Sequence, residues 1–295
     1  MKFFSSILVL LLALCCAALE PIDWQKAKTL QKGVDYLAIE TTTPRLMKVY
    51  LMRVDLTLPG LYFSTTERDA DWGKPMPDYP EMMIRTKRIR TIDFMNNARA
   101  KGENMIVAVN AAPWAPWVKP YNHKYGEPKG INISNGVVVS DVKPHKAVFW
   151  VDKSGKVGMS RELKEEQYPD MAVAVSGFAV ILEDGKDCSG TNQSLHPRIS
   201  FGLSKDRRYL YFLVVDGRQP EWSLGATLKD LSDYMVAAGA SDALNMDGGG
   251  SSSMVWWDPA KKEPVMFNQH KGKAKRNVGS NLGIHLPAEE AKTAK

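Results

Sequence analysis

The chain has 295 residues, of which 44% are hydrophobic, and a formal net charge of +6 at pH 7. That length gives one large domain or two small ones, with the composition of a globular protein. Charges of both signs are spread along the chain, without a zinc-finger spacing or a continuous basic block. This pattern argues against a nucleic-acid-binding protein, and no stable protein partner is evident.

Residues 1–18 have the layout of a secretory signal peptide. Lys2 precedes an apolar run that is too short to span a bilayer comfortably, and small residues follow it. Cleavage after Ala18 would fit the small-residue rule, so we expect a periplasmic or extracellular protein. Cys15 and Cys16 leave a second interpretation open, in which one of them carries a lipid anchor. A retained, uncleaved anchor is the third.

Cys188 would be the only cysteine left after that cleavage, which excludes an intrachain disulfide. It lies in the polar, turn-like stretch EDGKDCSG, where an incidental surface cysteine is favoured over a catalytic thiol. A chain of this size can build a conventional core without crosslinks.

Residues 19–99 open a long series of predicted short strands. VDYLAIET and RLMKVYLMRVDL are rich in β-branched and aromatic residues. Farther along, Asn135-Gly136 and Ser154-Gly155 each lie between two apolar runs, which predicts two β-hairpins. The segments MAVAVSGFAVILEDGK, RISFGLS and RYLYFLVVDG continue the β pattern. The polar residues 287–295 are predicted to form a disordered tail.

Two segments have the periodicity of amphipathic helices. The first covers roughly residues 86–101, and Gly102 is a suitable stop. The second follows Thr227, which forms a capping-box-like start with Asp230, and Gly239 ends it. Clustered strands with sparse helices predict an α+β fold, with a strand-rich, mixed or antiparallel sheet core and a few packed helices. We expect residues 19–99 to be integral to the same domain as residues 100–286.

The stretch LNMDGGGSSSMVWW, residues 244–257, interrupts this β pattern. Gly248, Gly249 and Gly250 lack a Cβ, so their backbone can approach a ligand closely and form a nest of N–H groups for an anion. Ser251 adds a hydroxyl. Asp247 adds a carboxylate that can bind sugar hydroxyls or a cation, or transfer a proton. A glycine-rich hairpin or bulge is the structural alternative, and the stretch fits neither a Walker loop nor a dinucleotide fingerprint.

Residues 245–252, NMDGGGSS, closely resemble the signature of the phosphodiester glycosidase family. Further segments resemble that family in the same order along residues 100–286: VN at 109–110, PRI with FG at 197–202, VDGR at 215–218, GATL at 225–228, FN at 267–268 and RNV at 276–278. Two departures bear on substrate identity. The family's Gly-Gly-Phe-Phe after Asn110 is Ala-Ala-Pro-Trp here, and its Thr after Arg198 is Ile199. Nothing before residue 100 resembles the family.

The resemblance implies an exported glycoside hydrolase that cleaves a sugar-1-phosphodiester, of the N-acetylglucosamine-1-phosphodiester kind, or a related cell-envelope glycan. Glycoside cleavage usually uses two carboxylates, and Asp216 and Asp247 are the predicted catalytic pair. Each ends a β segment and enters a glycine turn, although Asp-Gly is also simple turn chemistry. Because phosphate is a good leaving group, one carboxylate with the arginines could suffice. The nucleophile, the acid or base and the stereochemistry stay open.

The remaining site residues are predicted to bind the substrate. Arginine offers a planar charged fork to phosphate, and asparagine can bond sugar hydroxyls or serve as a buried structural residue. Trp114 and Trp117 could stack on a sugar ring or pack in the protein. The predicted substrate-binding residues are Asn110, Arg198, Arg218, Asn245, Gly248, Gly249, Gly250, Ser251, Asn268 and Arg276.

No cofactor is predicted with certainty. A divalent cation at Asp247 stays open, whereas zinc is disfavoured because His123 and His196 lack the spacing of a metal pair. Two other functions also stay open. One is a non-catalytic carbohydrate- or phosphate-binding protein, which the family departures support and the two aspartates oppose. The other is a phosphodiesterase that cuts the P–O bond, a chemistry that commonly recruits paired metals.

Overall fold

The computed structural model describes residues 19–144, 147–270 and 276–287. The predicted signal peptide, and the predicted tail after residue 287, lie outside the described residues. The helices are α1 (Thr91–Ala100) and α2 (Leu228–Ala238). The strands are β1 (Lys28–Gln31), β2 (Val34–Thr41), β3 (Met47–Asp55), β4 (Tyr62–Thr65), β5 (Pro75–Met76), β6 (Tyr79–Met83), β7 (Thr86–Lys87), β8 (Met105–Asn110), β9 (Trp114–Ala115), β10 (Tyr125–Pro128), β11 (Gly130–Ser134), β12 (Val137–Val142), β13 (Val148–Asp152), β14 (Val157–Ser160), β15 (Met171–Ser176), β16 (Ala179–Glu183), β17 (Lys186–Asp187), β18 (Arg198–Leu203), β19 (Tyr209–Val215), β20 (Asp242–Asn245), β21 (Met254–Asp258), β22 (Glu263–Met266) and β23 (Asn281–His285).

The largest sheet has eight strands in the order β1-β2-β3-β19-β18-β20-β16-β17. Its inner strands are apolar runs because both faces of the sheet are covered. On one face, Leu231 and Met235 of α2 pack in a cluster with Leu213 of β19. On the other face, Phe201 and Phe212 enter the main core of the molecule. This sheet positions the site. The turns at one end of its strands contain the sequence motifs.

Two five-stranded sheets complete the main core. Their orders are β22-β21-β8-β23-β4 and β12-β11-β15-β13-β14. Val109, from the first, and Phe149, from the second, share one buried cluster with Phe201 of the large sheet. The rings of Phe149 and Phe201 meet edge to face, with centroids 5.9 Å apart. The three sheets therefore bury their apolar faces against one another rather than in separate cores.

Residues 19–99 and 100–286 contribute strands to the same sheets. β3 pairs along its length with β19, and β4 pairs with β23. β3 is an inner strand of the large sheet, whereas β4 lies at an edge. Backbone pairing of this kind ties the first region to the second through the centre of the fold.

Local sequence signals predicted several elements correctly. Asn135 and Gly136 have φ of 48° and 76° in the turn between β11 and β12, and the β13–β14 hairpin contains Ser154-Gly155. The capping box of α2 is present, and Gly239 ends the helix with φ of 98°. The strand-rich core with few helices is confirmed. The α+β label fits only loosely, since every strand pair in the described residues is antiparallel and the two α-helices are short.

The predicted start of the first helix was wrong. Residues 86–87 form β7, which pairs with β10, and α1 begins only at Thr91. The Thr86 hydroxyl lies within hydrogen-bond distance of the carbonyl oxygens of Gly126, at 3.2 Å, and Gly279, at 2.8 Å. These partners are far away in sequence, and they override the helical periodicity of the segment. In the described part of the chain, no helix is long and apolar enough to cross a membrane.

Candidate active site

The predicted site residues come together at one end of the strands of the large sheet, which is called the site edge of the sheet below. β19 ends at Val215, opposite Arg198 at the start of β18, and β20 ends at Asn245, opposite Ser200. Because these three strands are antiparallel neighbours, the turn after β19, the segment before β18 and the loop after β20 meet at this edge. Asp216 is the first residue after β19, and Asp247 is the second residue after β20.

A cavity of about 450 Å³ lies at this edge. That volume falls within the range typical of small-molecule sites. Of the predicted site residues, the cavity is lined by Asp216, Arg218, Gly249, Gly250, Asn268 and Arg276. The sequence motifs, which are separated by up to 60 residues, therefore converge on one concave surface.

The glycine stretch forms a short 3₁₀ turn rather than a hairpin. Gly249 has φ of +64°, and its N–H donates to the carbonyl oxygen of Pro197 at 2.8 Å. A Cβ at Gly249 would lie 3.3 Å from Nη1 of Arg218, and a Cβ at Gly250 would lie 2.7 Å from Nη2 of Arg276. The glycines thus allow two guanidinium groups to lie directly against the loop backbone.

Asp247 immediately precedes this loop, is fully buried and does not itself line the cavity. Neither of its carboxyl oxygens accepts a hydrogen bond from the residues that the structure describes. Burial raises the pKa of Asp247 to about 7, while the Ser251 hydroxyl, the charge of Arg276 and the Trp114 indole act in the opposite direction. The Ser251 and Trp114 groups are near the carboxyl but make no hydrogen bond of normal geometry within the described residues. A carboxyl with this pKa can donate or accept a proton near neutral pH.

Asp216 has a different environment although it too is buried. Its carboxylate accepts hydrogen bonds from the Tyr50 hydroxyl at 3.1 Å, the Trp222 indole at 2.8 Å and the backbone N–H of Gln269 at 3.0 Å. Burial raises the pKa of Asp216, and these donors oppose the rise. The carboxylate therefore faces the cavity and also fixes the segment that follows Asn268.

The three predicted arginines divide into two groups. Arg218 and Arg276 line the cavity, and the Arg276 guanidinium lies 4.3 Å over the ring of Tyr121. Nη2 of Arg218 is 3.1 Å from Nδ1 of His196. Arg198 does not line the cavity. Its guanidinium instead donates to the carbonyl oxygens of Ala226, at 3.2 Å, and Ser194, at 3.1 Å. Its contacts hold the segment before β18, and its role in phosphate binding stays a prediction.

Two predicted asparagines fix the backbone of the loop. Asn110 donates to the carbonyl oxygen of Asp247 at 2.6 Å and accepts from the N–H of Ser253 at 2.8 Å. Asn268 donates to the carbonyl oxygen of Ser252 at 2.8 Å and accepts from the N–H of Met254 at 3.0 Å. These two amides hold the loop from opposite sides, and Asn268 also faces the cavity.

Other predicted residues lie close to the cavity without lining it. Asn245 is buried at the end of β20, Gly248 is held against Pro197, and Ser251 is buried beside Asp247. Trp114 is only 2% exposed, and the guanidinium of Arg88 lies 4.2 Å from its ring centre. Trp114 therefore packs inside the protein and is not available to stack on a sugar.

Several residues of the cavity wall belong to no motif that the sequence analysis identified. Tyr121, Gln269 and His270 line it, and Tyr50 and Trp222 donate hydrogen bonds to Asp216. Tyr50 lies 166 residues from Asp216 in the chain, in the region that resembles no family segment. Only the tertiary fold brings such partners together, so no local pattern could have found them.

No group of three or more His, Cys, Asp or Glu side chains that could hold a metal ion occurs within residues 19–144, 147–270 and 276–287. Whether a divalent cation binds at Asp247 stays open.

Comparison with known proteins identifies the family. A model of the family described as phosphodiester glycosidase matches residues 103–285. The chain belongs to the phosphodiester glycosidase family. Its membership confirms the resemblance seen in the sequence motifs and supports a hydrolase function at a coarse level.

The phosphodiester glycosidase fold is shared with solved structures of low sequence identity. The zebrafish N-acetylglucosamine-1-phosphodiester alpha-N-acetylglucosaminidase catalytic domain, auto-inhibited by its pro-peptide, aligns with a TM-score of 0.61 at 18% identity, over 88% of this chain and 87% of that one. A putative exported protein from Burkholderia pseudomallei aligns with a TM-score of 0.55 at 12% identity, over 82% of this chain and 74% of that one. At these identities the likeness shows the fold alone.

One relative is similar in sequence. The SPbeta prophage-derived uncharacterized protein YomE of Bacillus subtilis (strain 168) is 28% identical over 205 residues, which cover 65% of this chain and 29% of the relative. The match therefore spans less than a third of that protein's length.

Proposed function

We propose that this protein is an exported glycosidase that hydrolyses the bond between the anomeric carbon and the phosphate oxygen of a sugar-1-phosphodiester. The observation that carries the proposal is the fully buried Asp247, which immediately precedes a glycine loop contacted by two arginines and is close enough to feel the charge of Arg276. Family membership supports the reaction class. The name of the zebrafish structural relative describes an enzyme acting on a bond of this kind.

In the proposed complex, the phosphate is bound by Arg218 and Arg276. Both guanidinium groups line the cavity and lie against Gly249 and Gly250. A phosphodiester carries one negative charge, and a guanidinium fork can donate two parallel hydrogen bonds to its oxygens. The aromatic ring of Tyr121 beneath Arg276 fixes the plane of that fork. The phosphate would therefore be held at the loop side of the cavity, close to Asp247.

In the proposed reaction, Asp247 donates its proton to the phosphate oxygen as the bond to the anomeric carbon breaks. A buried carboxyl that lacks hydrogen-bond donors favours its neutral form, which is the form a general acid needs. The Asp216 carboxylate at the cavity wall stabilises the positive charge that develops on the sugar ring. Water supplies the hydroxyl group at the anomeric carbon and the proton that restores Asp247. The products are the free sugar and a phosphomonoester.

A panel of sugar-1-phosphodiesters, offered to the purified chain 19–295, tests the proposal. We expect turnover of at least one member, and a loss of about 100-fold or more in kcat for Asp247→Asn, the usual scale of a proton-transfer role. Asp184→Asn is the matched control, because Asp184 also precedes a glycine but lies exposed in the β16–β17 turn with φ of 49°. It should retain wild-type activity.

Two results would contradict the proposal. Full activity of Asp247→Asn would remove Asp247 from the mechanism. Binding of the panel members without turnover would instead favour a carbohydrate- or phosphate-binding protein. The same assay with a chelator distinguishes the proposed glycosidase from a metal-dependent phosphodiesterase. A metal-dependent phosphodiesterase should lose its activity on chelation. The prediction that the protein is exported depends on residues 1–18. Fractionation of cells that express the full chain tests this prediction.

A further inference from the structure

Two aromatic side chains are exposed at the same edge of the large sheet as the cavity. Trp117 is 55% exposed and Phe178 is 40% exposed. Their ring centres are 6.2 Å apart, with an angle of 60° between the ring planes. We call this pair the aromatic rim. The two rings form a contiguous exposed apolar patch, and exposed apolar patches can mark ligand-binding or interaction sites.

The fold places the aromatic rim next to Asp247. Phe178 immediately precedes β16, and its N–H donates to the carbonyl oxygen of Asn245 at 2.8 Å. Asn245 ends the strand that leads to Asp247. In the large sheet, β20 lies between β18 and β16, so Phe178 is about one strand spacing, roughly 5 Å, beyond the strand that carries Asp247. Asp216 lies on the opposite side, at the end of β19.

Trp117 lies in the segment of the chain that leads into the cavity wall. Pro120 and Tyr121, three and four residues later, form part of the cavity wall. The aromatic rim does not itself line the cavity, but the segment that follows Trp117 joins it to the cavity wall. A ligand that fills the cavity and extends past the Asp247 loop would meet these two rings.

The chemistry of the rim favours a sugar ring as its occupant. Neither ring carries a charge, so the rim adds nothing to phosphate binding. A pyranose presents a face of C–H groups, which are slightly positive and pack on the negative face of an aromatic ring. A protein partner is disfavoured because a stable interface needs about 800 Å² on each side, far more than two partly exposed rings provide. Because the segment that follows Trp117 leads directly into the cavity wall, a substrate that occupies both the cavity and the rim is favoured.

We propose that Trp117 and Phe178 form a sugar-binding subsite, so that the natural substrate is a glycan of two or more sugar units rather than a single-sugar phosphodiester. This inference rests on the proposed function, since it names the substrate class of the same site. The cavity holds the reacting sugar and its phosphate, and the rim holds the next ring of the glycan.

Kinetics on two matched substrates test the subsite. The substrates share one phosphate leaving group and differ in having one sugar unit or three. We expect Trp117→Ala and Phe178→Ala each to raise KM for the longer substrate by about 3- to 10-fold, the scale of one aromatic contact, with kcat unchanged. Neither should alter KM for the single-sugar substrate. Tyr62→Ala, which removes a ring of 44% exposure on β4, is the matched control and should change neither KM.

Equal effects of the rim variants on both substrates, or no effect on either, would overturn the proposal. A binding experiment distinguishes failure of the subsite proposal from failure of the proposed hydrolase function. By calorimetry, unmodified tetrasaccharides of glucose and of N-acetylglucosamine are offered to the wild-type chain and to Trp117→Ala. Weaker binding to the variant supports the subsite even if no phosphodiester is hydrolysed. If the wild type binds neither tetrasaccharide, or if the variant binds equally well, the subsite is rejected.

Discussion

Two aspartates at one sheet edge have different surroundings, and the difference separates their proposed roles. Asp216 accepts hydrogen bonds from two side chains and one backbone N–H, which oppose the rise of its pKa on burial. Asp247 is fully buried, and burial raises its pKa to about 7. Pairs of carboxyls that are tuned apart in this way are typical of acid–base assignments in hydrolases.

The rate of hydrolysis should depend on the protonation of Asp247. If Asp247 is the proton donor, kcat/KM falls as the pH rises through about 7, the value to which burial raises its pKa. The measurement is a profile of kcat/KM between pH 5 and pH 9. A rate that instead rises through pH 7 and then stays level would assign Asp247 the role of a base.

The stability of the fold should depend on the same group. The pKa of Asp247 is raised in the folded protein from 3.8 to about 7, so the folded state binds this proton more tightly than the unfolded state. Its contribution to stability is therefore present below pH 4 and is lost as the pH rises to about 7. Relative to Asp247→Asn, the wild type should lose on the order of 4 kcal/mol across this window.

Urea unfolding of both proteins at several values between pH 4 and pH 8 measures this loss. The difference between their free energies of unfolding should grow across the window and level off above pH 7. A difference that does not change with pH would mean that the pKa of Asp247 is not raised in the folded protein.

At the scale of elements, the conformation of the loop after β20 requires that its glycines have no Cβ. A Cβ at Gly250 would lie 2.7 Å from Nη2 of Arg276, whereas a Cβ at Gly248 would lie 2.8 Å from the backbone oxygen of Pro197. A guanidinium at the end of a flexible side chain can move away, but a backbone oxygen within the fold cannot. The two glycines should therefore respond differently to the same substitution.

Gly250→Ala should displace Arg276 and raise KM by about 10-fold, the scale of one lost charged hydrogen bond, while the melting temperature changes little. Gly248→Ala should lower the melting temperature instead, because the loop backbone must shift. Steady-state kinetics and thermal unfolding of both variants distinguish the two effects. An unchanged KM for Gly250→Ala would show that Arg276 does not hold the phosphate.

The sequence could predict those elements that are specified by nearby residues. The capping box of Thr227 and Asp230 and the turn at Asn135-Gly136 have their partners within a few positions. The helix prediction was wrong for residues 86–90, because the hydrogen bonds of Thr86 reach Gly126 and Gly279. A periodic pattern contains no information about such distant partners.

The candidate site was predictable to a similar extent. Motif residues such as Asp216, Arg218 and Gly249 converge on the cavity, and each was visible as a short signature. The hydrogen bond from Tyr50 to Asp216 depends on the pairing of β3 with β19, whereas Trp222 lies six residues after Asp216. These hydrogen bonds had no signature of their own, and neither did the contact of Arg276 with Tyr121.

At the scale of the whole molecule, residues 19–99 are predicted to be integral to the glycosidase domain. β3 is an inner strand that pairs with β19, and β19 carries Asp216 at its end. Removal of residues 19–99 would expose one edge of β19 and open the main core. The chain 100–295 should therefore fail to fold, whereas the chain 19–295 should unfold in one cooperative transition.

Circular dichroism and thermal unfolding of the two chains measure this outcome. A cooperative transition in the chain 100–295 alone would show that the first region is a separate unit. It would also show that β19, which Asp216 follows directly, folds without its pairing to β3 and without Tyr50.

The products of hydrolysis test the proposed cleavage of the bond to the anomeric carbon most directly. One active sugar-1-phosphodiester is hydrolysed in water enriched in ¹⁸O, and the products are resolved by mass spectrometry. The proposed mechanism predicts free sugar and a phosphomonoester without ¹⁸O in its phosphate. Sugar-1-phosphate and an alcohol, with ¹⁸O in the phosphate, would contradict it and identify a phosphodiesterase.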